Sequence, residues 1–379
     1  MSGAHAFLPP SSASSWVECA LWPTMNERYP REASAEAAEG DAAHWCAWEI
    51  LANRECKQGT AAPNGQIVTE EMLDGADLLV EQIRLRMAPM LLHIEDQISI
   101  PFGIGNFGTP DVWGASRDRK HVEIIDYKFG HRFVDEWWNA QGLCYLAGIV
   151  EILSHLWKIG PGLMDQNDIS VSFTVVQPRC YYKGKPVRTH TFKLIDAREH
   201  FNHLANMAEA ATVTAPVATT NVHCIDCPGR HACSALQLAA YSDAEVSNAR
   251  SPVDLTPDAA ALELRFLSRS LERLEARVDG LRELVIANLR AGKQVPFFRL
   301  EPGYGRKSWK IPDGQVLAIG QMYGKDLSKT DVITPTQAIK AGIDEAIVTA
   351  NSFTPSTTLK LVAENPADAR KVFGQPQEG

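Results

Sequence analysis

The chain has 379 residues, 37 Lys and Arg against 46 Asp and Glu, a formal net charge of -9 and 45% hydrophobic residues. No apolar run reaches the roughly 18 residues of a membrane span, and the start lacks the basic region and long apolar core of a secretion signal, so an intracellular, cytoplasmic protein is expected. The acidic balance argues against uniform coating of a polyanion but leaves room for a local basic groove, and the length predicts two domains at roughly 100 to 200 residues each.

In chain order, residues 1–10 are expected to be loosely attached, and Ser14 or Ser15 caps a short helix carrying Trp16, Cys19 and Leu21. The stretch 30–39 leads into EGDAAHWCAWEIL, whose apolar spacing is helical and which carries His44. Val68 to Ala88 predicts an amphipathic packing helix with Met72, Ala76, Leu79, Ile83 and Met87 on one face. HIEDQISIPF alternates like a strand, and its Glu95 is open to two readings, a metal ligand or a solvent-facing glutamate.

The stretch from Gly108, GTPDVWGASRDRKHVEIIDYKFG, carries the densest chemistry. Asp111 stands beside one short apolar run, and Asp126 and Lys128 alternate along the next. A strand has period two, so Asp126 and Lys128 share a face and Tyr127 points away. Two carboxylates and a lysine then converge at one sheet edge. A hard divalent ion such as Mg2+ or Mn2+ takes oxygen ligands of this kind, with water and a substrate phosphate. Held there, it would activate water and neutralise charge on a phosphodiester, with Lys128 assisting the nucleophile. Alone, D-x-K also describes a surface ion pair on a strand.

Gln141 and Tyr145 follow, four apart on one face of a helix expected over Asp135 to Trp157. Thr109-Pro110-Asp111 with Asp126-Tyr127-Lys128 resembles the motif of the PD-(D/E)XK nuclease superfamily, and Gln141-x3-Tyr145 resembles the Q-x-x-x-Y signature of its RecB-type branch. The resemblance implies that Gln141 and Tyr145 contact DNA. It also implies that Gly40-x3-His44 matches the G-x-x-x-H element, whose histidine joins the metal shell with Asp111, Asp126 and the Tyr127 backbone carbonyl.

ISVSFTVVQPRCYY is the next strong strand, and Arg179 beyond it is open as a phosphate contact or a plain exposed arginine. THTFKLI, a helix from Asp196 to about Ala211 and a linker lead to HCIDCPGRHAC, which spaces Cys224, Cys227 and Cys233 as metal ligands. Three close thiols need a fourth, and Cys19 is the candidate. The pattern is similar to RecB-type nucleases in which one cysteine before the core and three after it hold a 4Fe-4S cluster. Zinc on Cys224, Cys227, Cys233 and His223 or His231 is the alternative. Cys46, Cys56, Cys144 and Cys180 lack ligand spacing and are expected to be small buried residues.

Residues 242–257 are polar with two prolines and predict a domain boundary. Asp258 to Leu289 predicts one long helix or a hairpin, and FFRLEPGYGRKSWKI interleaves Arg306, Lys307 and Lys310 with Tyr304 and Trp309, either a nucleic-acid contact or a packed turn. The tail resembles the end of an uncharacterised phage and prophage family that carries the same core. No G-x-x-x-x-G-K-[ST] loop is present, so a motor, if needed, is another chain.

The expectation is therefore a mixed α/β nuclease core, a central mixed sheet flanked by helices over 1–240, and a mainly helical accessory region over 255–379. The resemblance implies a Mg2+- or Mn2+-dependent deoxyribonuclease, exonuclease before endonuclease, acting in phage-type replication, recombination or end processing. Expected partners are DNA and a single-strand-binding protein, recombination protein or separate helicase, with no membrane. The alternative is a DNA-binding recombination mediator with a dormant site.

Overall fold

The computed structural model describes residues 6–30, 34–88, 90–160, 168–180, 185–246, 255–304, 308–328, 335–353 and 356–363. Two compact units divide the chain, Met1–Gly280 and Leu281–Gly379. The first contains helices α1 (Ala13–Trp16), α2 (Trp22–Arg28), α3 (Ala35–Leu51) and α4 (Glu70–Met87), then strands β1 (Met90–Ile94), β2 (Ile98–Ser99), β3 (Phe107–Gly108), β4 (Val112–Ser116) and β5 (His121–Tyr127). Helix α5 (Ala140–Trp157) connects to β6 (Ser170–Val176) and β7 (Val187–Lys193), followed by α6 (Arg198–Thr212), α7 (Ser234–Val246) and the start of α8 (Pro257–Arg290).

The fold is mixed α/β. Its five-stranded sheet has the order β1-β4-β5-β6-β7, antiparallel except for the parallel pair β5/β6 that α5 joins. A parallel pair needs a crossover, and a helix is the usual one. One sheet face carries Ile124, Phe173 and Trp113 against Leu146, Ile149 and Leu153 of α5 and Leu204 of α6. The other carries Val112, Ile125, Tyr127 and Val176 against Ala43 and Ala47 of α3 and Met72, Leu79 and Ile83 of α4. Burial on both faces explains why β5 reads VEIID with little polar alternation.

Side-chain caps start the helices that flank the sheet. Ser34 accepts the Ala37 N–H at 3.1 Å, Thr69 the Met72 N–H at 3.2 Å and Asn139 the Gly142 N–H at 3.1 Å. The Asn139 cap, with Trp138 at φ 41°, begins α5 at Ala140 instead of the expected 135. Residues 6–10 are packed, not loose: Leu8 is buried and Trp16 Nε1 donates to Pro9 O at 3.1 Å. The expected long strand at HIEDQISIPF breaks in two at Glu95, which lies at φ 48°.

The boundary between units also differs from the expected 240/255 division. The part of α8 up to Gly280 belongs to the first unit. Arg273 makes a bidentate pair with Asp243 at 2.7 Å, Arg277 donates to His231 O, and Gly280 lies against Arg230. The second unit holds β8 (Phe298–Tyr304), β9 (Ser308–Trp309), α9 (Asp313–Met322), α10 (Pro335–Lys340), α11 (Glu345–Asn351), β10 (Ser352–Phe353) and β11 (Ser356–Ala363). Val316, Leu327, Ala338, Ile343 and Val348 form its core. No helix among the described residues is long and apolar enough to cross a membrane.

Glycines set how closely α5 approaches its neighbours. A Cβ at Gly142 would stand 2.6 Å from the Phe173 ring, and one at Gly148 would strike the Ser99 backbone oxygen. Because backbone cannot swing aside as a side chain can, Gly148→Ala is expected to destabilise the first unit by about 1–3 kcal/mol. Chemical denaturation of both proteins measures this, and an unchanged midpoint would mean that α5 is free to shift.

Candidate active site

Strand β5 delivers Asp126 to the α5 side of the sheet and the Tyr127 ring to the α3/α4 side, as the period of two requires. The register Val112↔Ile125 places Asp111, one residue before β4, beside the end of β5. Asp111 Oδ2 accepts the Tyr127 N–H at 2.7 Å. The Tyr127 carbonyl faces His44 Nε2 at 3.1 Å, so that nitrogen must carry a proton, since a carbonyl only accepts. His44 Nδ1 lies 3.5 Å from Asp111 Oδ1. A ring nitrogen lone pair facing a carboxylate oxygen is a meeting of two acceptors, which a proton or a metal cation would resolve.

Asp126 is 2% exposed. Its Oδ1 accepts from Lys128 Nζ and from Gln141 Nε2, each at 3.1 Å. Gln141 Nε2 also reaches Tyr145 Oη, and Gln141 Oε1 accepts from Lys128 Nζ, both at 3.1 Å. Lys128 Nζ stands 3.0 Å from Oδ2 as an ion pair, yet that oxygen is buried and has no hydrogen bond. The contact is close but badly directed, and a 3.0 Å approach without alignment is charge attraction alone.

Removal from water raises the Asp126 carboxyl above its ordinary value. Lys128 opposes that shift and Asp111 reinforces it. Burial pulls Lys128 down, but Asp126 and Asp111 outweigh it and hold the ammonium charged. Burial and Asp126 push up the Tyr145 phenol, which stays protonated. Two carboxylates against one ammonium leave one surplus negative charge, and the donors are hard oxygens. Asp111 and Asp126 therefore fit a divalent cation.

The second cluster is built of thiols. Cys19, Cys224, Cys227 and Cys233 line one cavity with Trp22, Met25 and His223. Cys19 Sγ accepts the Thr219 N–H at 3.4 Å, Cys224 Sγ that of Asn221 at 3.4 Å and Cys233 Sγ that of Leu236 at 3.5 Å. The Gly229 backbone favours the Cys227 thiolate. Backbone N–H groups aimed at sulfur support anionic ligands. Burial nevertheless pushes Cys227 up to about 11 and Cys224 in the same direction. His231 packs edge-on against Tyr29 at 4.6 Å. Among the described residues, no three His, Cys, Asp or Glu side chains close on one point to hold a single ion.

The sequence profile of a family described as a protein of unknown function, DUF2800, matches residues 5–366. The chain belongs to the DUF2800 family. A solved structure titled "Crystal structure of SSO0001" aligns with 57% of this DUF2800 chain and 94% of its own at 13% identity, with a TM-score of 0.22. That likeness is too remote to carry an argument.

In this DUF2800 protein the structure brings together His44, Asp111, Asp126, Tyr127, Lys128, Gln141 and Tyr145. It gathers Cys19 with Cys224, Cys227 and Cys233. Glu95 is exposed, with its backbone N–H on Asp111 O at 3.0 Å. Arg179 is not a free cation: it pairs with Glu39 and Glu71 at 2.8 Å and covers the Phe129 ring at 3.8 Å. Lys310 is exposed in the second unit, where Trp309 packs on the core and Arg299 pairs with Glu301. Arg306 and Lys307 lie outside the described residues. Cys144 and Cys180 are buried as expected, as is Cys46, which lies 3.2 Å from the half-buried Cys56 and is pushed up to about 12 by burial.

One residue that the motifs did not single out is Gln177. It is fully buried and donates to Gly130 O at 2.8 Å and Arg132 O at 2.7 Å, fixing the loop after Lys128. Arg132 in turn reaches Asp226, beside Cys227, at 2.6 Å.

The raised thiols give a pH prediction. A thiol held protonated must release its proton to a metal, so affinity is lost as pH falls and gained as it rises toward the Cys227 value of about 11. With Zn2+ as the probe in competition with a chromophoric chelator, apparent affinity should rise about tenfold per pH unit for each proton displaced. A flat profile between neutral and mildly alkaline pH would mean that the thiols are already ionised.

Proposed function

We propose that this DUF2800 protein is a metal-dependent deoxyribonuclease of the PD-(D/E)XK type, in its RecB-like branch, acting as an exonuclease in phage-type DNA replication, recombination or end processing. The observation that carries the reading is the dry Asp126 carboxylate, with one oxygen held by Lys128 and Gln141 and the other without a hydrogen bond. Asp111 and Asp126 would hold Mg2+ or Mn2+, with the Tyr127 carbonyl and His44 beside them. An ion held by these residues would supply activation of water and neutralisation of charge on the attacked phosphate.

The chain's own residues do the rest. The Tyr127 N–H orients the Asp111 carboxylate. Gln141 fixes the rotamer of Asp126 and the position of Lys128 in one hydrogen-bond chain. Lys128, kept charged by two carboxylates, serves as an electrostatic and positioning group for the phosphate and the attacking water. In that state it is not a proton acceptor.

The same reading places a 4Fe-4S cluster on Cys19, Cys224, Cys227 and Cys233, which would tie the chain's start to the segment after α6. Backbone N–H groups directed at the thiols support it. The zinc alternative would use Cys224, Cys227 and Cys233 with His223, which lines the same cavity, since His231 packs on Tyr29.

Anaerobically purified protein should cleave end-labelled single- or double-stranded DNA with Mg2+ or Mn2+ and not with EDTA. Asp126→Asn is expected to lower cleavage more than about a hundredfold, because metal-borne charge stabilisation is worth several kcal/mol. Its melting temperature in EDTA should hold or rise. A carboxyl raised in the fold loses native stability as pH climbs through its unfolded value, and asparagine copies the neutral form. Wild-type rates in Asp126→Asn would remove the metal-site assignment. DNA binding without cleavage by the native protein under either metal would shift the reading to a recombination mediator.

The cluster has its own readout. The native protein should be brown with iron bound, and Cys19→Ser should bleach it, since thiolate ligation to iron gives the colour. Stoichiometric zinc without iron after anaerobic preparation would replace the cluster by the zinc site.

A further inference from the structure

Strand β1, the β4–β5 hairpin and the last turns of α5 line a second, open-sided cavity of about 340 Å3, within the roughly 300–1,000 Å3 of sites that take small organic groups. Flat rings and cations dominate its walls. His93 stacks on Trp113 with centroids 4.0 Å apart and planes at 4°, and Trp157 lines the same cavity with Arg119 over its ring at 5.8 Å. Arg117 joins Arg119 among the lining residues, the exposed Leu156 supplies an apolar wall, and among the described residues no carboxylate lines the space, though Asp96 stands 2.7 Å from His93 Nδ1.

The hairpin turn is arranged to hold cations there. Asp118, the one acid of SRDRK, is consumed internally. It accepts from Ser116 Oγ at 2.6 Å and from the Lys120 N–H at 3.1 Å. Arg119 sits at φ 64°, a backbone region that glycine or asparagine enters more easily. Arginine is thus held where its backbone fits poorly and its guanidinium meets the cavity.

Aromatic faces beside two guanidinium groups, with Asp96 engaged by His93, suit a planar base carrying a phosphate. An acidic peptide would match the arginines and leave the rings without a partner. We propose that this cavity binds a nucleotide of a DNA strand, stacking its base at Trp157 and His93 and pairing its phosphate with Arg117 and Arg119. Location favours a strand over a free nucleotide. Trp113 lies two residues from Asp111 on the same strand face, and Asp111 to Ser116 is five residues, or about 17 Å at strand rise. At the duplex rise of roughly 3.4 Å per nucleotide, that is a reach of about five nucleotides. The orientation relative to cleavage rests on the nuclease reading above, while the binding itself does not.

The test is fluorescence anisotropy of a labelled oligodeoxynucleotide on the full chain in EDTA, across a salt series. Trp157→Ala is expected to weaken binding about tenfold, the order of one lost base stack. The double variant Arg117→Ala/Arg119→Ala should reduce the salt slope by up to about 1.4, at roughly 0.7 per single-strand phosphate contact. Trp157→Phe and the lysine pair Arg117→Lys/Arg119→Lys should keep most of the affinity, which separates lost contact from lost fold. Unchanged affinity and salt slope in both disruptive variants would overturn the proposal. Competition by a mononucleotide at the affinity of the strand would overturn its assignment to a strand. Metal-dependent cleavage of a trinucleotide, too short to span the reach, should be equal in wild type and variants. Absence of cleavage in the native protein would sink the nuclease reading and leave the EDTA binding result standing.

Discussion

Asp126, one residue before the end of β5, has its carboxylate cut off from water, and removing an ion from water costs several kcal/mol unless neighbours compensate. Lys128 and Gln141 compensate one oxygen, while Asp111 adds a further negative charge at the same strand end. Gln141 can reach only if α5 lies close on the sheet. That demand accounts for Gly142 beneath the Phe173 ring, Gly148 against the Ser99 backbone and the Asn139 cap that sets where the helix begins. Helix, sheet and glycines are thus arranged around one costly charge.

Tyr127 connects the two faces of the sheet. Its N–H orients Asp111, its carbonyl faces His44, and its ring is buried in the α3/α4 core, with its hydroxyl where a Cβ on Gly75 would fall. Helices on opposite faces therefore present His44 and Gln141 to one strand end. Arg179 holds the two helices of the far face together through Glu39 and Glu71.

The strand pattern and the fourfold helix spacing made Asp111, Asp126, Lys128, Gln141 and Tyr145 legible, because each relation is local in sequence. Cys19, more than two hundred residues away, was singled out for a different reason: the resemblance to cluster-bearing RecB-type nucleases puts one cysteine before the core and three after it, and the structure brings Cys19 to the cavity of the other three. Arg179 was not legible, since its carboxylate partners lie 140 and 108 residues away and nothing in QPRC announces them. Nor was the packing of residues 6–10, whose composition resembles a loose end while Leu8 and the Pro9 carbonyl serve the core. The boundary at Ser242 to Pro257 was drawn from polarity, and the arginines of α8 that dock on Asp243 and His231 override it.

Gln177 constrains which amino acids its position can accept. Its Nε2 gives both hydrogens to the carbonyls of Gly130 and Arg132, and its Oε1 takes the Val134 N–H and Arg188. Of the side chains of this length, only the amide offers two donors and an acceptor together. Glutamate has the same shape and would set a buried carboxylate against two carbonyl oxygens. A one-letter change that most substitution tables score as mild is thereby costly at this position, and the loop behind Lys128 takes its form from a residue that touches none of the chemistry.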